Sequence, residues 1–273
     1  EGMFKHIEKS ARVCYRSEDK ITDDSYKKMI KLLEDKGHYS PFAHGTVYLT
    51  VPAEYTIDFT HKTFNACKEM CRNLNDPWFS HWTQSRIEPY VSDKLQLSEL
   101  TYYTTNYRLI HELGLDSLLD EYWEEPNEIS AKRVSVLVNT SIAVSREWNR
   151  HATGLAICEQ STRYCAYNKD KFGGEVTFVE PLWLHENPEQ AEIYLNNLQN
   201  AEKSYLDLLN KGVTAQNARG VLPLDTATQV MYTGFIDEWK HVFEMRTSPA
   251  AHPEIRRIMI ELQEEFKERK YID

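Results

Sequence analysis

Asn187-Pro188 and Gly212 bracket the best-bounded element of the chain. Proline suits the first helical position, because an N–H there would have no partner inside the helix. Between the brackets Tyr194, Leu195, Leu198, Tyr205, Leu208 and Leu209 recur at helical steps. Glycine suits the left-handed position just past a helix end. The spacing therefore predicts one long helix reaching about Lys211.

Other stretches read by the same rules. Residues 6–16 read as helical, and Asp23–Lys36 as a helix closed by Gly37, with Tyr26, Met29, Ile30 and Leu33 in step. Thr46–Val51 reads as a strand closed by Pro52. Residues 53–100 show no clean period. A helix is expected over Leu115–Trp123, limited by Pro126. In Lys132–Asn139, Val134, Val136 and Val138 alternate as in a strand. Thr140 or Ser141 caps a helix to about His151. Glu175–Val179 reads as a strand, and Thr214 caps a short helix carrying Arg219. Phe235–Met245 and Pro253–Lys270 close the chain as helices. There is no Gly- or Ser-rich linker and no repeat. The expectation is α+β: a single domain over residues 1–273, with a central sheet flanked by long helices.

Composition narrows the partners. The formal net charge is −10, which argues against non-specific nucleic-acid binding. No apolar run approaches the roughly 20 residues of a membrane helix, and the opening EGMFKHIEKS reads as lacking an apolar signal segment. The five cysteines are scattered at 14, 67, 71, 158 and 165; Cys67 and Cys71 are four apart, and Cys158 and Cys165 have no histidine at zinc spacing. Reduced thiols, no metal and a cytoplasmic setting are expected. Neither a G-x-G-x-x-G nor a P-loop pattern is present.

Ser145–Glu175 departs from that acidic background. It carries five cationic side chains (Arg146, Arg150, Arg163, Lys169, Lys171) against four anionic ones. An acidic protein does not collect anions by long-range attraction, so an anion site must be local and geometric. Glu159-Gln-Ser-Thr-Arg163-Tyr offers a carboxylate, an amide, a hydroxyl and a guanidinium within five residues. If extended, the run turns Ser161 and Arg163 to one side. It is either a phosphate seat or a salt-bridged, solvent-facing turn. Arg219, among Ala218, Val221 and Leu222, is either ion-paired or reaching for an anion. His241 follows Asp237 by four residues and can face it on a helix. No cysteine stands beside a base as a thiolate nucleophile would.

Arg150-His151 followed by Glu159-Gln-Ser-Thr-Arg163 resembles the R-H-R-x-x-S-x-N-E-x-S-x-R signature of the flavin-dependent thymidylate synthases. Ala11–Tyr15, Gly37–Pro41, Thr104–Arg108, Ala218–Pro223 and Trp239–Arg246 look like further family blocks in family order. The resemblance implies reductive methylation of dUMP to dTMP, with methylenetetrahydrofolate as carbon donor and NADPH as reductant through bound FAD. It implies a homotetramer whose active sites draw on several subunits. Arg246 then matches the arginine that pairs with the uracil ring and favours its ionised form, a catalytic role. Glu147, Arg150, Gln160, Ser161, Arg163 and Arg219 match nucleotide-holding positions. Ser40, Arg150, His151, Glu159 and His241 match flavin contacts.

Four departures stand out. Ala152 replaces the third residue of R-H-R. His151 to Glu159 is eight steps where the pattern has seven. Cys158 stands where the pattern has Asn, and Phe235 aligns with another family Asn. They motivate two alternatives: the same scaffold making another 5-substituted pyrimidine nucleotide, such as a hydroxymethyl product, or a nucleotide-binding relative without catalysis.

Overall fold

Arg133 ties two halves of the protein together: its Nη2 donates to the carbonyl of Ala43 at 2.8 Å and its Nη1 to Thr46 Oγ1 at 3.2 Å. The computed structural model describes residues 1–52, 86–89, 100–128, 130–150, 154–169 and 172–273. The first half holds α1 (Gly2–Tyr15), α2 (Ser25–Asp35), a 3-10 turn over Ser40–His44, β1 (Thr46–Pro52), β2 (Arg86–Pro89), β3 (Leu100–Asn106), α3 (Tyr107–Glu112) and α4 (Ser117–Tyr122). The second holds β4 (Arg133–Ser141), α5 (Ile142–Asn149), β5 (Ala156–Glu159), α6 (Pro188–Asn210), α7 (Ala215–Ala218), β6 (Ala227–Phe235), α8 (Ile236–Arg246) and α9 (Pro253–Glu268).

The α+β expectation holds, but one central sheet does not. Among the described residues the strands form two antiparallel three-stranded sheets, ordered β1-β3-β2 and β4-β6-β5. Each supports its own core. In the first, α1 and α2 bring Ile7, Ala11, Met29 and Leu33 onto Phe42, Val47, Leu49 and Tyr103. In the second, Trp148, Trp239, Phe243, Ile255, Met259 and Phe266 pack on Val138, Val230 and Tyr232. Trp148 stacks on Tyr232 with centroids 4.1 Å apart and planes 13° apart, and neither ring is exposed. Such aromatic pairs add about 1 kcal/mol beyond the area they bury.

The expected helices are present near their expected ends. Gly37 and Gly212 take positive φ, 63° and 86°, just past α2 and α6. Asn187 caps α6 through its side-chain oxygen, accepting from Glu189 and Gln190 N–H. Ser141 is the cap of α5, accepting from Val144 N–H at 3.3 Å. Thr214 precedes α7 without a side-chain cap bond. The expected strand at Glu175–Val179 is reduced to a single bridge, Phe178 to Thr226. Around that bridge Val179 N–H donates to the Asp225 carbonyl and Ala227 N–H to the Thr177 carbonyl, so the pairing reaches only the first residue of β6.

Four strands have no counterpart in the sequence reading: β2, β3, β5 and β6. β6 is the centre of its sheet, with Val138 opposite Val230 on one side and Cys158 opposite Met231 on the other. One face, through Val230 and Tyr232, joins the second core. On the other, Met231 packs on Val13 and Cys158, and Thr233 meets the Ser40–His44 turn. With both faces covered, the polar-apolar alternation of a half-exposed strand disappears. A chain of hydrogen bonds crosses here: His6 Nε2 to Ser135 Oγ (2.8 Å), Ser135 Oγ to Thr233 Oγ1 (2.6 Å), and Thr233 Oγ1 to His44 Nδ1 (2.8 Å).

Candidate active site

β5 ends at Glu159, and the chain leaves the sheet there in a tight turn. Glu159 Oε1 accepts from Ser145 Oγ at 2.7 Å and from Thr228 Oγ1 at 3.2 Å. These hydroxyls come from α5 and β6, so three elements fix one carboxylate oxygen. Gln160 is buried. Its N–H donates to the Gln229 carbonyl at 2.8 Å, and its amide points to the Tyr167 hydroxyl at 3.5 Å. Burial pushes the Tyr167 phenol up to about 12, so it stays protonated at neutral pH. Gln160, Tyr167, Arg16, Phe172, Thr228 and Gln229 line a cleft of about 430 Å³.

Ser161 to Tyr164 form a turn rather than the extended run considered above. Ser161 N–H donates to the Cys14 carbonyl at 2.9 Å, which anchors the turn to the end of α1. Ser161 Oγ accepts from Arg163 N–H at 3.2 Å. A serine hydroxyl that closes its own local turn in this way leaves less freedom to the backbone that follows.

Arg163 and Arg219 converge on this turn. Arg163 is exposed, lies 5.3 Å from the Tyr164 ring centroid, and donates through Nε to Gln216 Oε1 at 3.0 Å. Arg219 is exposed and donates through Nη1 to Thr162 Oγ1 at 3.2 Å. Each arginine thus reaches from one segment to the other, the 161–164 turn and the 215–221 helical corner. Both bonds use neutral partners and neither guanidinium forms an ion pair with a described carboxylate, so both charges remain for an anion.

Arg246 occupies a second locus. It is buried at the end of α8, where Nη2 donates to the Glu147 carbonyl and Nη1 lies 3.5 Å from Glu147 Oε2. Its Nε is buried with no partner among the described residues. Glu147 lies on α5, two residues from Ser145, so one helix touches both loci. Arg150, at the C-terminal cap of α5, is exposed, as are Ser40 and His241. His151 and Ala152 lie outside the described residues, as do Cys67 and Cys71. Among the described residues no group of three or more His, Cys, Asp or Glu converges as metal ligands would, and no helix is long and apolar enough to cross a membrane.

Sequence reading missed Ser145, Thr228, Thr162 and Gln216. Thr162 sits inside the Glu159–Tyr164 run and could have been found there. Ser145 and Thr228 meet Glu159, and Gln216 meets Arg163, only through tertiary packing, and they carry no local signal.

Residues 118–269 match the family described as thymidylate synthase complementing protein. Among individual relatives, the flavin-dependent thymidylate synthase of Aquifex aeolicus is 22% identical over 309 residues, covering 93% of this chain and 91% of the relative. That of Thermosipho melanesiensis is 31% identical over 145 residues, covering 48% and 62%. That of Thermus thermophilus is 31% identical over 140 residues, covering 48% and 51%. The matched residues run from α4 to the end of α9 and include both arginine loci, and on that match the chain belongs to the thymidylate synthase complementing protein family.

Proposed function

We propose that the protein is a flavin-dependent thymidylate synthase, converting dUMP to dTMP with methylenetetrahydrofolate as carbon donor, NADPH as reductant and FAD as cofactor. The observation that carries this reading is the convergence of Arg163 and Arg219 on the Ser161–Tyr164 turn. Two uncommitted charges beside hydroxyls suit a phosphate dianion, and charge-assisted hydrogen bonds are about twice as strong as neutral ones.

Arg246 has the chemistry to hold the other end of such a nucleotide. Its buried Nε lacks a partner, and a buried unpaired donor costs about 1–3 kcal/mol. A pyrimidine carbonyl or ring nitrogen offers that acceptor. A buried guanidinium beside the ring stabilises negative charge as C5 becomes nucleophilic. Glu147 keeps the guanidinium in place from its far side. We assign Glu159 to positioning, since its Oε1 is already held by two hydroxyls. In this reading Arg246 of one copy faces Arg163 and Arg219 of another, in a cytoplasmic homotetramer.

The donor set is compatible with a flavin. Exposed Arg150, Ser40 and His241 present donors suited to an anionic dinucleotide, and bound flavin would supply hydride to the one-carbon unit. No thiolate is required.

The test is product identity. Purified protein given dUMP, methylenetetrahydrofolate, NADPH and FAD should yield dTMP by mass, and the gene should support growth of a thymidine-requiring host. A hydroxymethyl product would move the assignment to the alternative suggested by Ala152. No flavin binding in titration would exclude both.

A further inference from the structure

Three cysteines from three elements meet behind the Ser161 turn. Cys14 is the last residue but one of α1, Cys158 lies in β5, and Cys165 follows the turn. Cys158 is packed with Val13 and Met231, and Cys14 lies against that cluster. Cys14 and Cys158 thus meet at one apolar cluster. Cys165 Sγ instead points to the Cys14 carbonyl, at 3.8 Å. Cys14 is partly exposed, whereas Cys158 and Cys165 are buried.

We propose that Cys14 and Cys158 are an oxidative modification site, in which a hydroperoxide oxidises Cys14 and Cys158 closes an intramolecular disulfide. The difference in exposure sets the order, because oxidation follows access and thiolate character. The neighbouring Cys158 side chain holds the Cys14 thiol below the ordinary thiol range. The neighbouring Cys14 side chain, followed by burial, pushes the Cys158 thiol up. The first step forms an S–O bond at Cys14 as the peroxide O–O bond breaks, leaving a sulfenic acid and an alcohol or water. In the second, Cys158 sulfur attacks Cys14 sulfur. An S–S bond forms, the S–O bond breaks, and the hydroxyl leaves as water with the Cys158 proton. Two thiols thereby give two electrons to one hydroperoxide.

The site couples to the turn through one atom. The Cys14 carbonyl that receives Cys165 Sγ also anchors Ser161 N–H, at 2.9 Å. Closing a thiol contact to an S–S bond of about 2.05 Å draws α1 and β5 together. The Ser161 anchor cannot stay at its present geometry when they move. Oxidation loosens the 161–164 turn, whatever ligand the turn holds.

The experiment treats the full chain with hydrogen peroxide, blocks remaining thiols with N-ethylmaleimide, and maps the unreduced digest by mass spectrometry. The expected product joins the Cys14 and Cys158 peptides with loss of two hydrogens and is reversed by dithiothreitol. Cys165→Ser leaves it intact. Cys158→Ala stops at a Cys14 sulfenic acid that dimedone traps. A Cys14–Cys165 link, a link between chains, or an unmodified Cys14 under peroxide that oxidises exposed cysteines overturns the proposal; these outcomes are read on the wild type, whether or not a variant folds. Hydrogen exchange at the Ser161 amide should be at least about tenfold faster in the oxidised protein. A crosslinked protein with unchanged exchange there overturns the coupling to the turn.

Discussion

Arg246 grips Glu147 twice, through the main-chain carbonyl and the carboxylate, so the end of α8 is clamped onto the last turn of α5. Glu147 is two residues from Ser145, which holds Glu159. The buried guanidinium is therefore both a structural clamp and, in the proposed reaction, the group nearest the ring. Arg246→Lys separates these roles. Lysine keeps the charge but not the planar fork. Turnover should fall at least about a hundredfold, the scale of losing one charge-stabilising donor. FAD retention, read from flavin absorbance after gel filtration, should change little. Equal loss of flavin and turnover contradicts the assignment.

Arg163→Ala and Arg219→Ala should each weaken dUMP binding by about ten- to a hundredfold, the scale of losing a charged hydrogen bond of ~1.5–3 kcal/mol. Deoxyuridine, without the phosphate, should bind each variant much as it binds the wild type. Calorimetric titration of both ligands checks this. A parallel loss for deoxyuridine would place the arginines elsewhere than at the phosphate.

If the two arginine loci meet across subunits, inactive variants should rescue one another. Arg163→Ala and Arg246→Ala proteins, unfolded together and refolded, form mixed assemblies in which some sites draw both intact arginines from different chains. Activity should return to roughly a quarter of wild type in a random mixture, because each site draws its two loci from independent chains. No recovery, with mixed oligomers demonstrated by mass, would mean that each chain completes its own site.

Gly154 takes φ of 90° at a place where an added Cβ would collide with the Glu238 carboxylate. That carboxylate caps α8 by accepting from Phe235 N–H at 2.7 Å. Gly154→Ala adds backbone strain, at about 1–3 kcal/mol, and displaces the cap, worth about 1 kcal/mol. Chemical denaturation should show a loss of about 2–4 kcal/mol by those two scales. A stability within 0.5 kcal/mol of wild type, roughly the error of such a comparison, refutes the clash.

His6 and His44 give the fold an acid limit. Burial, with Lys9 and Arg133 adding to it, lowers His6 to about 4. Burial, with His6 and Arg133 adding to it, holds His44 well below the usual imidazole range. Both are neutral when folded, whereas the unfolded chain protonates them near the ordinary value of about 6.5. The unfolded state therefore binds more protons below that pH, and stability falls as pH drops from about 6.5 toward 4. For His6 alone the loss approaches about 3 kcal/mol across that window. Urea midpoints at stepped pH measure it, and His6→Gln should flatten the slope. A midpoint constant from pH 7 to 4.5 would contradict the burial of both rings.

The amino-acid order by itself determined the helices α2, α6, α8 and α9, because caps, glycine stops and 3.6-residue periods are written within each segment. It also marked Arg163, Ser161 and Arg219 through local motifs, and placed the family. It left β6 unseen, since a strand covered on both faces loses its alternation. It placed one sheet where there are two, because strand pairing depends on partners far along the chain. The convergence of Arg163 with Gln216 and of Arg219 with Thr162 joins residues more than fifty positions apart. So does the clamp of Arg246 on Glu147. Only tertiary structure decides such meetings, because no local propensity carries the distance between two side chains brought together by the packing of separate elements.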